Sequence, residues 1–206
     1  MNYHLKTAFS HSLFSPGRLS LVALLCFVVL SALSPLARSA DSRPFQVGDA
    51  FEGGIVAYIL QPGDPGFTAA EIHGFVASTA DQSDGTVWSN VTDAYASTGT
   101  AIGTGVANTI TIRKQHGHTA SAAQTSVDYS VTNGCSTYDD WYLPSRDELN
   151  KLYLNRSAIR GFADAFYWSS SEYDGKQAWS QNFGDGKRNF GNLKNFKAHI
   201  RSIRFF

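Results

Sequence analysis

The chain has 206 residues with 17 basic and 17 acidic side chains, and 43% of it is hydrophobic. A formal net charge of zero excludes the broad basic surface on which nucleic-acid binding depends. Only two cysteines are present, Cys26 and Cys135, so a disulfide framework is excluded as well.

Residues 1–40 read as a secretory signal. Lys6 and Arg18 precede an apolar run from Leu19 to Leu33, and small residues follow as far as Ala40. The run is shorter than the about 20 apolar residues of a membrane span, so cleavage after Ala40 is favoured over an uncleaved anchor. Leu25 ahead of Cys26 argues against lipoprotein processing. This segment carries three basic residues, Lys6, Arg18 and Arg38, and no acid, which leaves 14 basic and 17 acidic residues in 41–206 and a formal charge of −3. Those 166 residues suit one domain, secreted, periplasmic or at the cell surface. Any contact with a membrane is expected only through the signal, if it stays uncleaved. Cys135 is then the sole thiol, and with no basic neighbour in sequence to activate it, a buried or incidental role is expected.

Pro44 and Gly48 introduce "FEGGIVAYIL", where Ile55 to Leu60 is apolar on both faces, as in a central strand. The turn cluster "QPGDPGF" and the second apolar run in "HGFVASTA" make 53–80 a hairpin. From Asp81 to Gly105, small and polar residues dominate around the single anchor Trp88, which predicts a long surface excursion. Within it, "DQSDGT" is reminiscent of a calcium loop, but Thr92 stands where a bidentate acid is needed, so a turn is expected. Val106, Ile110 and Arg113 at helical spacing, with a break at Gly117, predict a broken helix over 106–129. His116 and His118 are two apart and share no helix face, which argues for a loop over a metal site. "NGCSTYDD" reads as loop.

"WYLPSRDELNKLYL" is the most legible stretch. Ser145 and Glu148 form a capping box, and Leu149, Leu152 and Tyr153 then share one helix face. Strands are expected over 166–173 and 178–183, a polar loop over 184–197, and a closing strand in "HIRSIRFF". Ile200 and Ile203 break strict alternation, so that strand requires a bulge or cover on both faces. Its position suggests that the two ends of the domain pair. Arg201 and Arg204 are expected to brace the fold through carboxylates such as Asp147 or Glu172.

"GGIVAYI", "TAIGTGVANT", "YDDWYLPSRDELNKLY", "YWSSSEYDGKQAWSQNF" and "IRSIRFF" together resemble the Lcl C-terminal domain family, also called domain of unknown function 1566. The resemblance covers most of residues 47–206. It implies an α+β, C-type lectin-like fold related to formylglycine-generating enzymes: small antiparallel sheets, two flanking helices, long loops, and paired N- and C-terminal strands. Family members in bacterial surface proteins are linked to adhesion, including binding of sulfated glycans. Some relatives of the fold are variable proteins diversified by retroelements. Formylglycine-generating enzymes work with paired cysteines, and this domain has one, which argues for a binding module over the alternative of an enzyme of that fold. The lectin calcium strings Glu-Pro-Asn and Trp-Asn-Asp are missing, so neither metal nor cofactor is expected. No G-x-S-x-G string gives hydrolase chemistry a foothold.

Trp168, in the framework part of the pattern, is expected in the core. Strict alternation puts Trp179 and Gln181 on one face of a strand and Ser180 and Asn182 on the other. The expected ligand surface for a glycan or protein comprises Tyr173, Asp174, Lys176, Gln177, Trp179, Gln181, Asp185, Lys187, Arg188, Asn189, Asn192 and Asn195. Tyrosine and asparagine supply contact area and adaptable hydrogen bonds. Lys187, Arg188, Lys194 and Lys197 form a basic cluster that would draw anionic groups, or else a solvated face.

Overall fold

The computed structural model describes residues 45–206, and the expected export signal lies outside them. Eleven strands and four helical segments are described, in the order β1 (Ala50–Phe51), β2 (Gly54–Ile59), β3 (Gly74–Ala77), β4 (Ser83–Val87), α1 (Gly105–Arg113), α2 (Ala122–Val127), β5 (Val131–Asn133), β6 (Ser136–Tyr138), α3 (Arg146–Leu154), α4 (Arg156–Ile159), β7 (Phe166–Glu172), β8 (Gln177–Asn182), β9 (Arg188–Leu193), β10 (Lys197–Ile200) and β11 (Ile203–Phe205). The domain is α+β. Its first sheet runs β1-β2-β3-β11 and its second β4-β10-β7-β8-β9, with β5 and β6 a separate hairpin.

The broken alternation at Ile200 and Ile203 has its cause here. "HIRSIRFF" is two strands, and the chain changes sheet between them: His199 pairs in parallel with Tyr167, while Ile203 pairs antiparallel with Ala77. Both isoleucines are buried, one in each sheet. The closing strand thus joins the sheet of the N-terminal hairpin, and Phe206 meets Phe45 and Phe51 edge-on at 5.5 and 5.2 Å.

At the change of sheet, Arg201 is fully buried and braced by Asp81, not by Asp147 or Glu172. Its Nε donates to Asp81 Oδ1 at 2.7 Å, Nη1 to the carbonyls of Ser78 and Arg160 at 3.2 Å each, and Nη2 to the Gly161 carbonyl. Carbonyl oxygens from two loops complete what a planar donor fork demands. Arg160 accepts a left-handed backbone, φ 68°, to turn its carbonyl inward. Arg204 is held by Asp140 and Glu52, again not by the carboxylates expected.

The second sheet is covered on both faces. Trp88, Trp168, Ala178, Ala198 and Ile200 pack with Ile112, Ala122 and Ala123 of α1 and α2. Leu149 and Leu152 of α3 join Tyr167, Phe183, Ala57, Phe75 and Ile203 in the layer between α3 and the sheets. Trp88, Trp141 and Trp168 are among the largest fully buried side chains. At about 25 cal/mol/Å2 over roughly 200 Å2, each buried indole is worth about 5 kcal/mol of gross transfer energy. Packing therefore does what disulfides do in smaller domains.

The capping box forms as its sequence dictates, with Glu148 N–H donating to Ser145 Oγ at 3.3 Å and Ser145 N–H to Glu148 Oε2 at 2.7 Å. Other segments depart from the sequence reading. Ser83–Val87, expected inside an excursion, is an edge strand whose mixed residues hide its pairing with β10. "NGCSTYDD" contains the turn and the second strand of the β5-β6 hairpin, with Gly134 at φ 64°, and Cys135 sits exposed at the tip, so of its two expected roles the buried one does not hold. The expected loop 184–197 contains β9, which lacks apolar alternation because it is an edge strand paired only to β8. On α1, Val106 and Ile110 face outward, and the buried residues are Gly105, Asn108, Thr109 and Ile112. Two helices were expected to flank the sheets; α1 and α3 have nine residues each, and the shorter α2 and α4 are added to them.

Candidate functional site

Strand β7 is the frame on which the long loop before α1 and the segment before α3 are tied. Ser170 N–H donates to the Pro144 carbonyl at 2.7 Å and Ser171 Oγ to the Gly99 carbonyl at 2.7 Å. Glu172 N–H donates to Thr98 Oγ1 at 2.6 Å, while its carboxylate accepts Ala96 N–H at 2.8 Å. Short hydroxyl side chains fit this role because each donates and accepts within the reach of one backbone. Lys194 completes the frame from the β9–β10 turn. Its Nζ donates to Glu172 Oε1 at 2.7 Å, the Ala94 carbonyl at 2.7 Å and the Gly175 carbonyl at 3.0 Å, above the Trp88 ring. Lys194 therefore leaves the expected basic cluster: it is fully buried and gives every N–H to this cage.

On the other face of the second sheet, α3 crosses β8. Arg146, in the first turn of α3, lies over Trp179 at 5.1 Å, and Tyr173 meets the same indole edge-on at 5.6 Å. Four residues further along α3, Asn150 accepts from Gln181 Nε2 at 3.1 Å. Trp179 and Gln181 do share a face, as alternation requires, but the helix covers the Gln181 end. Gln181 is buried and also bonds the Gly186 carbonyl, so it belongs to the scaffold and not to a ligand surface.

Trp179 stays half-buried and Tyr173 is 47% exposed. Asp147 holds Arg146 at 2.9 and 3.2 Å and stands 3.7 Å from Arg188 Nη1. The result is a strip running Tyr173, Trp179, Arg146, Asp147, Arg188: an aromatic wall beside two guanidiniums that share one carboxylate. Turns frame its ends. Asp174 Oδ1 accepts the N–H groups of Lys176 and Gln177 at 2.7 and 2.8 Å, and Asp185 Oδ1 accepts Lys187 N–H at 3.0 Å. The backbone N–H and then the ammonium of Lys187 hold Asp185 below the usual carboxylate range.

Of the other expected residues, Gln177 is half-buried and opposite Leu193, Asn192 donates to Ser180 Oγ at 2.7 Å, Asn189 lies on β9 opposite Ser180, and Asn195 is exposed in the β9–β10 turn. Arg146 and Asp147 are not among the ligand residues expected from the sequence, where Asp147 stands only as a brace for the closing strand. Their signal was present in the capping box, since the residues after Ser145 on the polar side of α3 must face something other than Leu149 and Leu152.

Elsewhere, Asp81 of "DQSDGT" is engaged by Arg201, Tyr167 and His199. His118 bonds Ser121 Oγ at 2.8 Å, and burial lowers its pKa. Among the described residues no group of three His, Cys, Asp or Glu side chains is placed to hold a metal ion.

Two sheets, the closing strand beside the N-terminal hairpin, and a loop system tied to one central strand define an α+β domain that presents a polar and aromatic strip. A family model described as the Lcl C-terminal domain matches residues 77–204, and the chain belongs to that family. No curated protein matches the chain. Among solved structures, it is similar to a fimbrial protein from Bacteroides ovatus ATCC 8483, with 16% identity and a TM-score of 0.47. That similarity covers 74% of this chain and 43% of the fimbrial protein, so the chain spans less than half of its length.

Proposed function

We propose that the chain is an exported, non-catalytic ligand-binding domain of the adhesion type, C-type lectin-like in fold, and that its strip takes a glycan or a protein. What carries this reading is Trp179, half-buried between Arg146 and Tyr173, with Arg188 tied to Arg146 through Asp147. A rigid aromatic with adaptable polar neighbours gives contact area at low entropic cost. Membership of the Lcl C-terminal domain family agrees with a surface role. No helix among the described residues is long and apolar enough to cross a membrane.

The test is binding to glycan and protein arrays by the chain and by a Lys187→Ala, Arg188→Ala double variant. Affinity for the captured ligand drops about tenfold or more while the melting temperature stays in place. Undiminished binding by the double variant sinks the strip as the ligand surface.

Diversification by a retroelement is a finer form of the same reading, and it concerns the exposed residues between Tyr173 and Asn195. A near-repeat of the coding segment beside a reverse transcriptase gene supports it, and its lack rejects it. The rival class is an enzyme related to the formylglycine-generating fold. It would place its chemistry on Cys135, which is exposed on a two-residue turn. Cys135→Ser abolishes an oxidase activity and leaves a binder intact.

A further inference from the structure

A cleft of about 460 Å3 lies between the residues ahead of β4 and the C-terminal end of α2, lined by Ala80, Asp81, Gln82, Thr125, Asp128 and Tyr129. Its size falls within the roughly 300–1,000 Å3 of small-ligand sites. It shares no residue with the Tyr173–Arg188 strip.

Its chemistry follows from which polar atoms are already used. The Asp81 carboxylate is taken by Arg201, Tyr167 and His199. Gln82 Oε1 accepts from Ser78 and Ser202, and Nε2 spends one N–H on the Ala80 carbonyl, leaving the other. Thr125 donates its hydroxyl to the Ser121 carbonyl and keeps its lone pairs. Asp128 accepts Gln124 Nε2 on Oδ1 and keeps Oδ2. The Tyr129 ring is fixed edge-on against Trp141 at 5.1 Å, and burial raises the pKa of its phenol, so the hydroxyl remains a donor at neutral pH.

The open atoms are therefore two donors, on Tyr129 and Gln82, and two acceptors, on Asp128 and Thr125, around one aromatic ring. A sugar hydroxyl donates and accepts at the same atom and matches such a mixed set. An anion meets Asp128 with no free cation among the lining residues. A cation finds only one uncompensated carboxylate, since Arg201 already neutralises Asp81. We propose that this cleft is a second binding site, for a neutral saccharide unit, with the Tyr129 ring as its apolar platform.

The experiment is titration of the 15N-labelled chain with the methyl glycosides of glucose, galactose, mannose and N-acetylglucosamine, and with glucuronate as the anionic control. Amide shifts concentrated at 80–82 and 125–129 are expected for at least one neutral sugar and not for glucuronate. Asp128→Ala, a surface change at the end of a short helix, weakens binding about tenfold. Tyr129→Phe, which keeps the ring and the Trp141 contact, weakens it severalfold. The Lys187→Ala, Arg188→Ala variant binds the sugar unchanged, which separates this site from the strip. Lack of shifts for every neutral sugar at tens of millimolar, shifts confined to Tyr173–Arg188, or equal response to glucuronate each overturn the proposal.

Discussion

Lys194 Nζ and Glu172 Oε1 stand 2.7 Å apart with both side chains fully buried, and the pair joins three loops that are distant in sequence. A buried charge is tolerated only when its partner and its remaining hydrogen bonds are in place. The ammonium does here what a loop-bound cation would do, gathering oxygens from separate turns.

Lys194→Met strands the Glu172 carboxylate in the interior. It costs about 3–5 kcal/mol, and the added change Glu172→Gln recovers part of the loss. Urea denaturation of the two single variants and the double variant measures the coupling. Additive costs would show that the pair does not act as a unit.

Glu148 gives the domain a pH dependence of definite sign. Burial pushes its carboxyl up from 4.5 to about 7, against the opposing hydrogen bonds from Ser145 and Gly103. The native state therefore holds a proton that the unfolded chain releases. Its contribution is fully present below about pH 4.5 and is lost as pH rises through about 7. The difference amounts to about 3 kcal/mol. Denaturation midpoints followed from pH 4 to 8 fall for the native sequence relative to Glu148→Gln, and parallel curves would refute the assignment.

Gly105 is the first residue of α1, where alanine gains less than the about 1 kcal/mol it gains in a helix interior. A Cβ there would lie 2.7 Å from Tyr142 Cε2 and closer still to Glu148 Oε2, both on buried side chains. Overpacking at about 1–3 kcal/mol exceeds the propensity gain. Gly105→Ala thus lowers the melting temperature, whereas a rise would show that Tyr142 can retreat.

Gln181 and the Lys187/Arg188 pair separate scaffold from surface. Gln181→Ala removes the donor that satisfies Asn150 Oδ1 and the Gly186 carbonyl, and it costs about 1–3 kcal/mol of stability. Changing Lys187 and Arg188, both exposed, moves stability by less than about 0.5 kcal/mol. Thermal melts of both variants decide it, and a reversed order would put Gln181 back among ligand candidates.

The sequence alone determined what depends on neighbours along the chain. The capping box at Ser145 and Glu148 and the 53–80 hairpin were legible because spacing and local hydrogen bonds carry them, and the family and the burial of Trp168 because whole motif blocks do. Tertiary structure decided the rest. Nothing local distinguishes Lys194 from Lys187, or Gln181 from Gln177; only the loop carbonyls above Trp88 and the passage of α3 over β8 bury Lys194 and Gln181 while Lys187 stays exposed and Gln177 half-buried. The closing strand makes the same point, since Ile200 and Ile203 break alternation for a reason visible only when each is paired in a different sheet. Desolvation and pairing across long sequence separations set the role of a polar side chain, and a linear pattern does not contain them.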